Sequence, residues 1–121
     1  MTWNIQPDRP VYLQLIEQLE LALVIGEYPP GTRMPAVREL AAQAGVNPNT
    51  MQRALQELES RSLVLTQRTA GRTVTQDAGM LAQLRGKMAQ TQVNDFWESM
   101  KKLGLSAQEI VELIRRQAEE E

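Results

Sequence analysis

Gly45 and the Asn47-Pro48 pair constrain the fold more than any other feature of the chain, because they separate two short stretches with helical periodicity. Val37, Leu40, Ala41 and Ala44 recur as one buried stripe, and Met51, Ala54, Leu55 and Leu58 as a second. Gly45 supplies a left-handed stop for the first stretch. Asn47 can accept a backbone N–H as an N-cap, and Pro48 suits the first helical position, where its missing N–H costs nothing. Two short helices must therefore meet at a tight corner across Ala44-Gly45-Val46, which is a helix-turn-helix pattern. Ala41 is small where the helices would cross closely, and Val46 can plug the corner. Pro35 is expected to open the earlier of these two helices.

On the N-terminal side, Trp3-Asn4-Ile5 reads as a short extended piece. Asp8 is a candidate N-cap, and Pro10 suits a first turn. Tyr12, Leu15, Ile16, Leu19, Ala22 and Leu23 follow the spacing of one buried helix face, ended by Gly26. On the other side the period changes. Residues Leu63–Gln67 and Arg72–Gln76 are short and β-branched, joined through Arg68-Thr69-Ala70-Gly71, and they predict a hairpin. Helix returns from Asp77, with a phase slip near residues 89–93, and Gly104 stops it. Ser106 and Glu109 form a capping box with Leu105 and Ile110 as a hydrophobic staple, so a last helix follows, with Ile110, Leu113 and Ile114 inward. The expected fold class is mainly α with a small β-hairpin. A winged helix-turn-helix occupies residues 1–76, followed by a two-helix dimerisation hairpin over 77–121.

Composition removes most chemistry. The 121 residues include no Cys and no His, which excludes disulfides, thiolate nucleophiles, zinc fingers and Ser-His or Cys-His catalysis. There is no Gly-rich phosphate loop and no paired carboxylates on one face, so no enzyme and no cofactor is expected, and no metal. The longest apolar run, Leu21–Ile25, is far short of the about 20 residues of a membrane span. The N-terminus lacks the order of a signal peptide, and the expected address is the cytoplasm, away from any membrane. Net charge is −2, but residues 33–72 hold six arginines against three glutamates, while residues 77–121 are acidic overall. Arginine pairs bidentately with phosphates and guanine edges.

The first turns of the third helix expose Asn49, Thr50, Gln52 and Arg53. Asn and Gln can bond adenine N6 and N7 together, Arg can bond guanine O6 and N7, and the Thr methyl can touch that of thymine. A recognition helix meets bases with such N-terminal residues, and a helix N-terminus also favours phosphate. As a bare composition these residues would be an ordinary solvated face; their position after a helix-turn favours DNA. Arg38 reads equally as a base or phosphate contact or as a surface ion pair with Glu39. Arg68 and Arg72 flank the wing tip, where arginines grip phosphate or enter a minor groove. The Phe96, Trp97 and Met100 cluster admits three readings: a dimer interface first, local core second, the wall of a small-molecule pocket third; the expected interface set is Met88, Val93, Phe96, Trp97, Met100, Ile110 and Ile114. A protein–protein adaptor and a small-molecule sensor remain as rival functions.

The segment Pro29-Pro30-Gly31-Thr32-Arg33-Met34-Pro35-Ala36-Val37-Arg38-Glu39-Leu40-Ala41, continued by residues Gly45 to Glu59, resembles the signature of the GntR family of bacterial transcription regulators. Val46-Asn47-Pro48-Asn49-Thr50 and the short helical tail are similar to the YtrA subfamily. The resemblance implies a winged-helix reader of a double-stranded operator, acting as a homodimer, often a repressor tied to transporter operons. It implies DNA contacts at Arg38, Asn49, Thr50, Gln52 and Arg53, with wing support from Arg68, Thr69, Gly71 and Arg72, and a two-helix tail that dimerises. An effector is left open. The chain departs from the family pattern in three places. Pro48 stands where many members have Arg, and Ser62 where the family usually has Gly. The wing reads Thr69-Ala70-Gly71-Arg72-Thr73-Val74 where the family usually reads Gly-x-Gly-Thr-Phe-Val.

Overall fold

The computed structural model describes residues 1–121. The elements in order are α1 (Val11–Val24), α2 (Val37–Ala44), α3 (Pro48–Ser60), β1 (Val64–Gln67), β2 (Gly71–Val74), α4 (Ala78–Lys102) and α5 (Ala107–Glu120). They divide into two compact units, Met1–Leu84 and Arg85–Glu121. The border lies inside α4, later than the change of pattern at 76/77, because Leu81 is buried in the core of the first unit and Met80 and Leu84 pack against it.

In the first unit the periodicities close on one core. Leu15, Leu19 and Leu23 of α1, Leu40 and Ala41 of α2, Met51, Ala54, Leu55 and Leu58 of α3, and Val64 and Val74 of the hairpin are all buried. Val46 is half-buried against this core, and its N–H donates to the Ala41 carbonyl at 3.0 Å, which fixes the corner. Gly45 has φ +71°, the left-handed stop that the helix-turn-helix needs. The hairpin is antiparallel, with Val64 opposite Val74, Thr66 opposite Arg72 and Gln67 opposite Gly71. Gly71, expected in the connection, opens β2 at φ +70°; the loop is Arg68-Thr69-Ala70. A three-residue connection closed by a left-handed Gly is a common hairpin solution.

Two expected helix starts are corrected. α2 begins at Val37 with Ala36 extended before it, and Pro35 lies outside. Residues 32–34 are already engaged: the Met34 N–H donates to the Arg72 carbonyl, the Val74 N–H to the Thr32 carbonyl, and Arg33 bridges Thr73. Pro35 therefore ends an extended rung beside β2. Asp8 is not an N-cap. α1 starts at Val11 after Pro10, without a side-chain cap. Its N-terminal end is tied instead by Gln14, a polar residue on the inward face, 2% exposed. The Gln14 Nε2 donates to the carbonyls of Gln6 and Arg9, and its Oε1 accepts from the Gln6 N–H.

In the second unit the helical tail runs unbroken through the expected phase slip, since α4 is a single helix. The turn at Gly104 leads into the Ser106 capping box. The Glu109 N–H donates to Ser106 Oγ at 3.2 Å, and the Ser106 N–H to Glu109 Oε1 at 3.0 Å. Ile110 is 0% exposed, whereas Leu113 and Ile114, expected to face inward, are exposed.

Candidate nucleic-acid interface

Asn47 sets the start of α3. Its Oδ1 accepts the Asn49 N–H at 2.8 Å, and its carbonyl accepts the N–H groups of Thr50 and Met51 at 3.0 and 3.1 Å. Pro48 has no N–H to offer. The N–H groups of Asn49, Thr50 and Met51 at this helix start are thus already bonded within the chain. Asn49 and Arg53 are exposed, and Thr50 and Gln52 half-exposed, while Met51, Ala54 and Leu55 between them are buried.

Arg38 is exposed on α2 and makes no ion pair with Glu39. None of the ion pairs in the chain takes up Arg33, Arg38, Arg53 or Arg68. Arg53 is held by stacking, with its Cζ 4.5 Å from the centroid of the Tyr12 ring of α1. Arg68 and Thr69 are exposed in the wing loop.

Arg72 is not at the wing tip. It lies inside β2, and its Nε donates to Glu59 Oε1 on α3 at 2.6 Å, while its Nη1 donates to Gln52 Oε1 at 3.4 Å. Thr66, its cross-strand partner, donates its hydroxyl to the same Glu59 oxygen at 2.6 Å. The Thr66 hydrogen bond, then that of Arg72, holds the Glu59 carboxyl below its ordinary pKa. Arg72, expected as a phosphate contact at the wing tip, here braces the wing to α3 through its guanidinium. Sequence reasoning missed this brace because Glu59, Thr66 and Arg72 each look like isolated surface polar residues. It also missed Arg33, which is exposed beside the wing. The Arg33 Nε lies 3.8 Å from where a side chain on Gly71 would begin. Its place in the Gly31-Thr32-Arg33 stretch was the available signal.

In the second unit Val93, Phe96 and Ile114 are exposed, and Met88, Trp97 and Met100 half-buried. Ile110 departs from the expected interface set, because its own chain already covers it completely. No helix is long and apolar enough to cross a membrane.

A helix-turn-helix whose second helix presents polar side chains from its first turns, backed by a two-stranded wing, defines a winged-helix DNA-binding transcriptional regulator. Residues 11–74 match the model of the gntR family of bacterial regulatory proteins. The chain belongs to that family. It is 38% identical over 110 residues to the uncharacterized HTH-type transcriptional regulator YhcF of Bacillus subtilis, covering 91% of each chain. It is 38% identical over 69 residues to the HTH-type transcriptional repressor YtrA of the same organism, covering 57% of this chain and 53% of that one. A GntR family transcriptional regulator from Listeria monocytogenes has a similar solved structure. Its TM-score is 0.83 at 32% identity, with 93% of this chain and 98% of that chain covered. The DNA-binding domain of AraR in complex with operator ORE1 superposes with a TM-score of 0.52 at 25% identity, covering 62% of this chain and 94% of that one. The family and these relatives are transcriptional regulators, not enzymes.

Proposed function

We propose that the protein is a cytoplasmic repressor that binds an inverted-repeat operator as a homodimer and occludes a promoter. The observation that carries this reading is the exposed set Arg38, Asn49 and Arg53, charged or polar groups without ion-pair partners on the two helices of the helix-turn-helix. Two such helices in a two-fold dimer would enter successive major grooves about 34 Å apart. Asn49, Thr50, Gln52 and Arg53 would face base edges, and Arg38, Arg33 and the wing residues Arg68 and Thr69 the backbone. The exposed apolar groups Val93, Phe96 and Ile114, with Trp97 and Met100 beside them, supply the proposed dimer contact. The relative named as a repressor supports the sense of regulation.

The test is selection of bound sequences from a random DNA pool, followed by titration of the selected site. Arg38→Ala and Arg53→Ala should each weaken binding by about 1–3 kcal/mol with the fold intact, and binding should fall steeply as salt rises. Unchanged affinity in both variants, or a flat salt dependence, counts against DNA reading and favours an adaptor.

A further inference from the structure

Arg72 stands in the wing, yet its guanidinium reaches one of the side chains that α3 would present to bases. Its Nε is committed to Glu59 at 2.6 Å, and its Nη1 faces Gln52 Oε1 at 3.4 Å. Gln52 and Glu59 lie two turns apart on one side of α3, so a single guanidinium spans both. Thr66 locks the same carboxylate, so the anchor of Arg72 is itself fixed, and only 17% of the Arg72 side chain is exposed. A guanidinium only donates, so the Gln52 atom that faces it must be the amide oxygen.

An amide used this way reads adenine less well than a free glutamine does, because the guanidinium competes for its oxygen and fixes its orientation. Bidentate recognition of adenine needs Oε1 to accept from N6 while Nε2 donates to N7. With Oε1 turned to a cation, Gln52 presents Nε2 and its two hydrogens. That group complements two adjacent acceptors, and guanine offers O6 and N7 side by side. We propose that Arg72 is a specificity-determining positioning residue: through Gln52 it sets the base preferred at one operator position to guanine rather than adenine. This rests on the reading that Gln52 faces DNA. The family pattern usually has Thr where this chain has Arg72, so the device belongs to this chain's own departure from that pattern.

The experiment is selection from a random DNA pool with the full-length protein and three variants, each checked for folding by thermal melting. Gln52→Ala should erase the preference at one position of each half-site and so identify it. Arg72→Met keeps the aliphatic stem and removes the donors. It should shift that same position toward adenine, changing the guanine-to-adenine ratio by about tenfold or more. Glu59→Ala, which leaves Arg72 unanchored, should shift it in the same direction, so either folded variant decides. Guanine retained in Arg72→Met and Glu59→Ala at the position erased by Gln52→Ala overturns the inference and leaves the DNA reading standing. A motif unaffected by Gln52→Ala overturns it as well, since Gln52 would then read nothing. A wild-type protein that enriches no sequence sinks the proposed function itself and this inference with it.

Discussion

The Arg53 guanidinium of α3 lies over the Tyr12 ring of α1, with Cζ 4.5 Å from the ring centroid. A stacked arginine loses less freedom when it meets a ligand than one that must first be ordered. Tyr12 thereby joins the packing of two helices to the presentation of a side chain outward. A cation over an aromatic face at a site of this exposure contributes about 0.5–1 kcal/mol. We expect Tyr12→Phe to keep operator affinity within about twofold, because the ring remains. Tyr12→Leu should weaken it by about 0.5–1 kcal/mol. Titration at fixed salt checks both, and equal loss in the two variants would show that the hydroxyl, not the ring, matters.

Ser62 carries the chain from α3 into the hairpin at φ +62°. Its N–H donates to the Glu59 carbonyl at 2.9 Å, and the Leu63 N–H to the Leu58 carbonyl at 3.0 Å, so the turn is fixed by two backbone hydrogen bonds. A left-handed non-glycine residue costs about 1 kcal/mol. Ser62→Gly should therefore stabilise the protein by about that amount and raise its melting temperature by about 4 °C. Calorimetry reads the shift; a lower melting temperature would mean that chain entropy outweighs relief of strain.

Acid should loosen the wing. The Glu59 carboxyl is held below its ordinary value of 4.5 by the Thr66 hydroxyl and by Arg72. A carboxyl with a lowered folded-state pKa adds stability above its unfolded value, and that stability disappears as pH falls through the folded value. The wild-type advantage over Glu59→Gln should be constant from neutral pH down to about 5 and shrink below about 4.5. Urea denaturation across that range tests the sign. An advantage that grows on acidification would contradict the brace.

Assembly can be tested on the exposed apolar groups of the second unit. Phe96 is 42% exposed, with Val93 and Ile114 also uncovered. Burying a Phe contributes roughly 1.5–3 kcal/mol by area before association entropy is subtracted. Phe96→Glu should convert a dimer into a monomer at about tens of micromolar in sedimentation velocity, without lowering helicity. A wild-type protein that sediments as a monomer at that concentration removes both the dimer and its palindromic site.

Local signals were legible wherever one residue type has one mechanical use. Gly45 as a left-handed stop, Asn47 as a cap with Pro48 behind it, and the Ser106–Glu109 box are all found as expected, because each acts within a single turn. The buried faces of α1 and α3 were legible for the same reason. Pro35 misled because its neighbours pair with β2, a partner far along the chain that no local rule registers. Gln14 was hidden because a polar residue on an inward face makes sense only once the N-terminal segment lies against it. Arg72, expected at DNA from its position near a loop, meets Glu59 and Gln52 of another element, which no local rule registers. In the candidate interface the exposure of Arg38, Asn49 and Arg53 on α2 and α3 was legible in the sequence, and the contacts that hold Arg53 and Arg72 were not.

The sealed start of α3 has an evolutionary side. Asn47 takes the N–H groups of Asn49, Thr50 and Met51, and Pro48 has none, so the first turn of this helix keeps its backbone donors to itself. In the proposed DNA reading, α3 would bind through the exchangeable tips of Asn49, Thr50, Gln52 and Arg53. Point mutations at those codons can then change what is bound while the helix keeps its own closure.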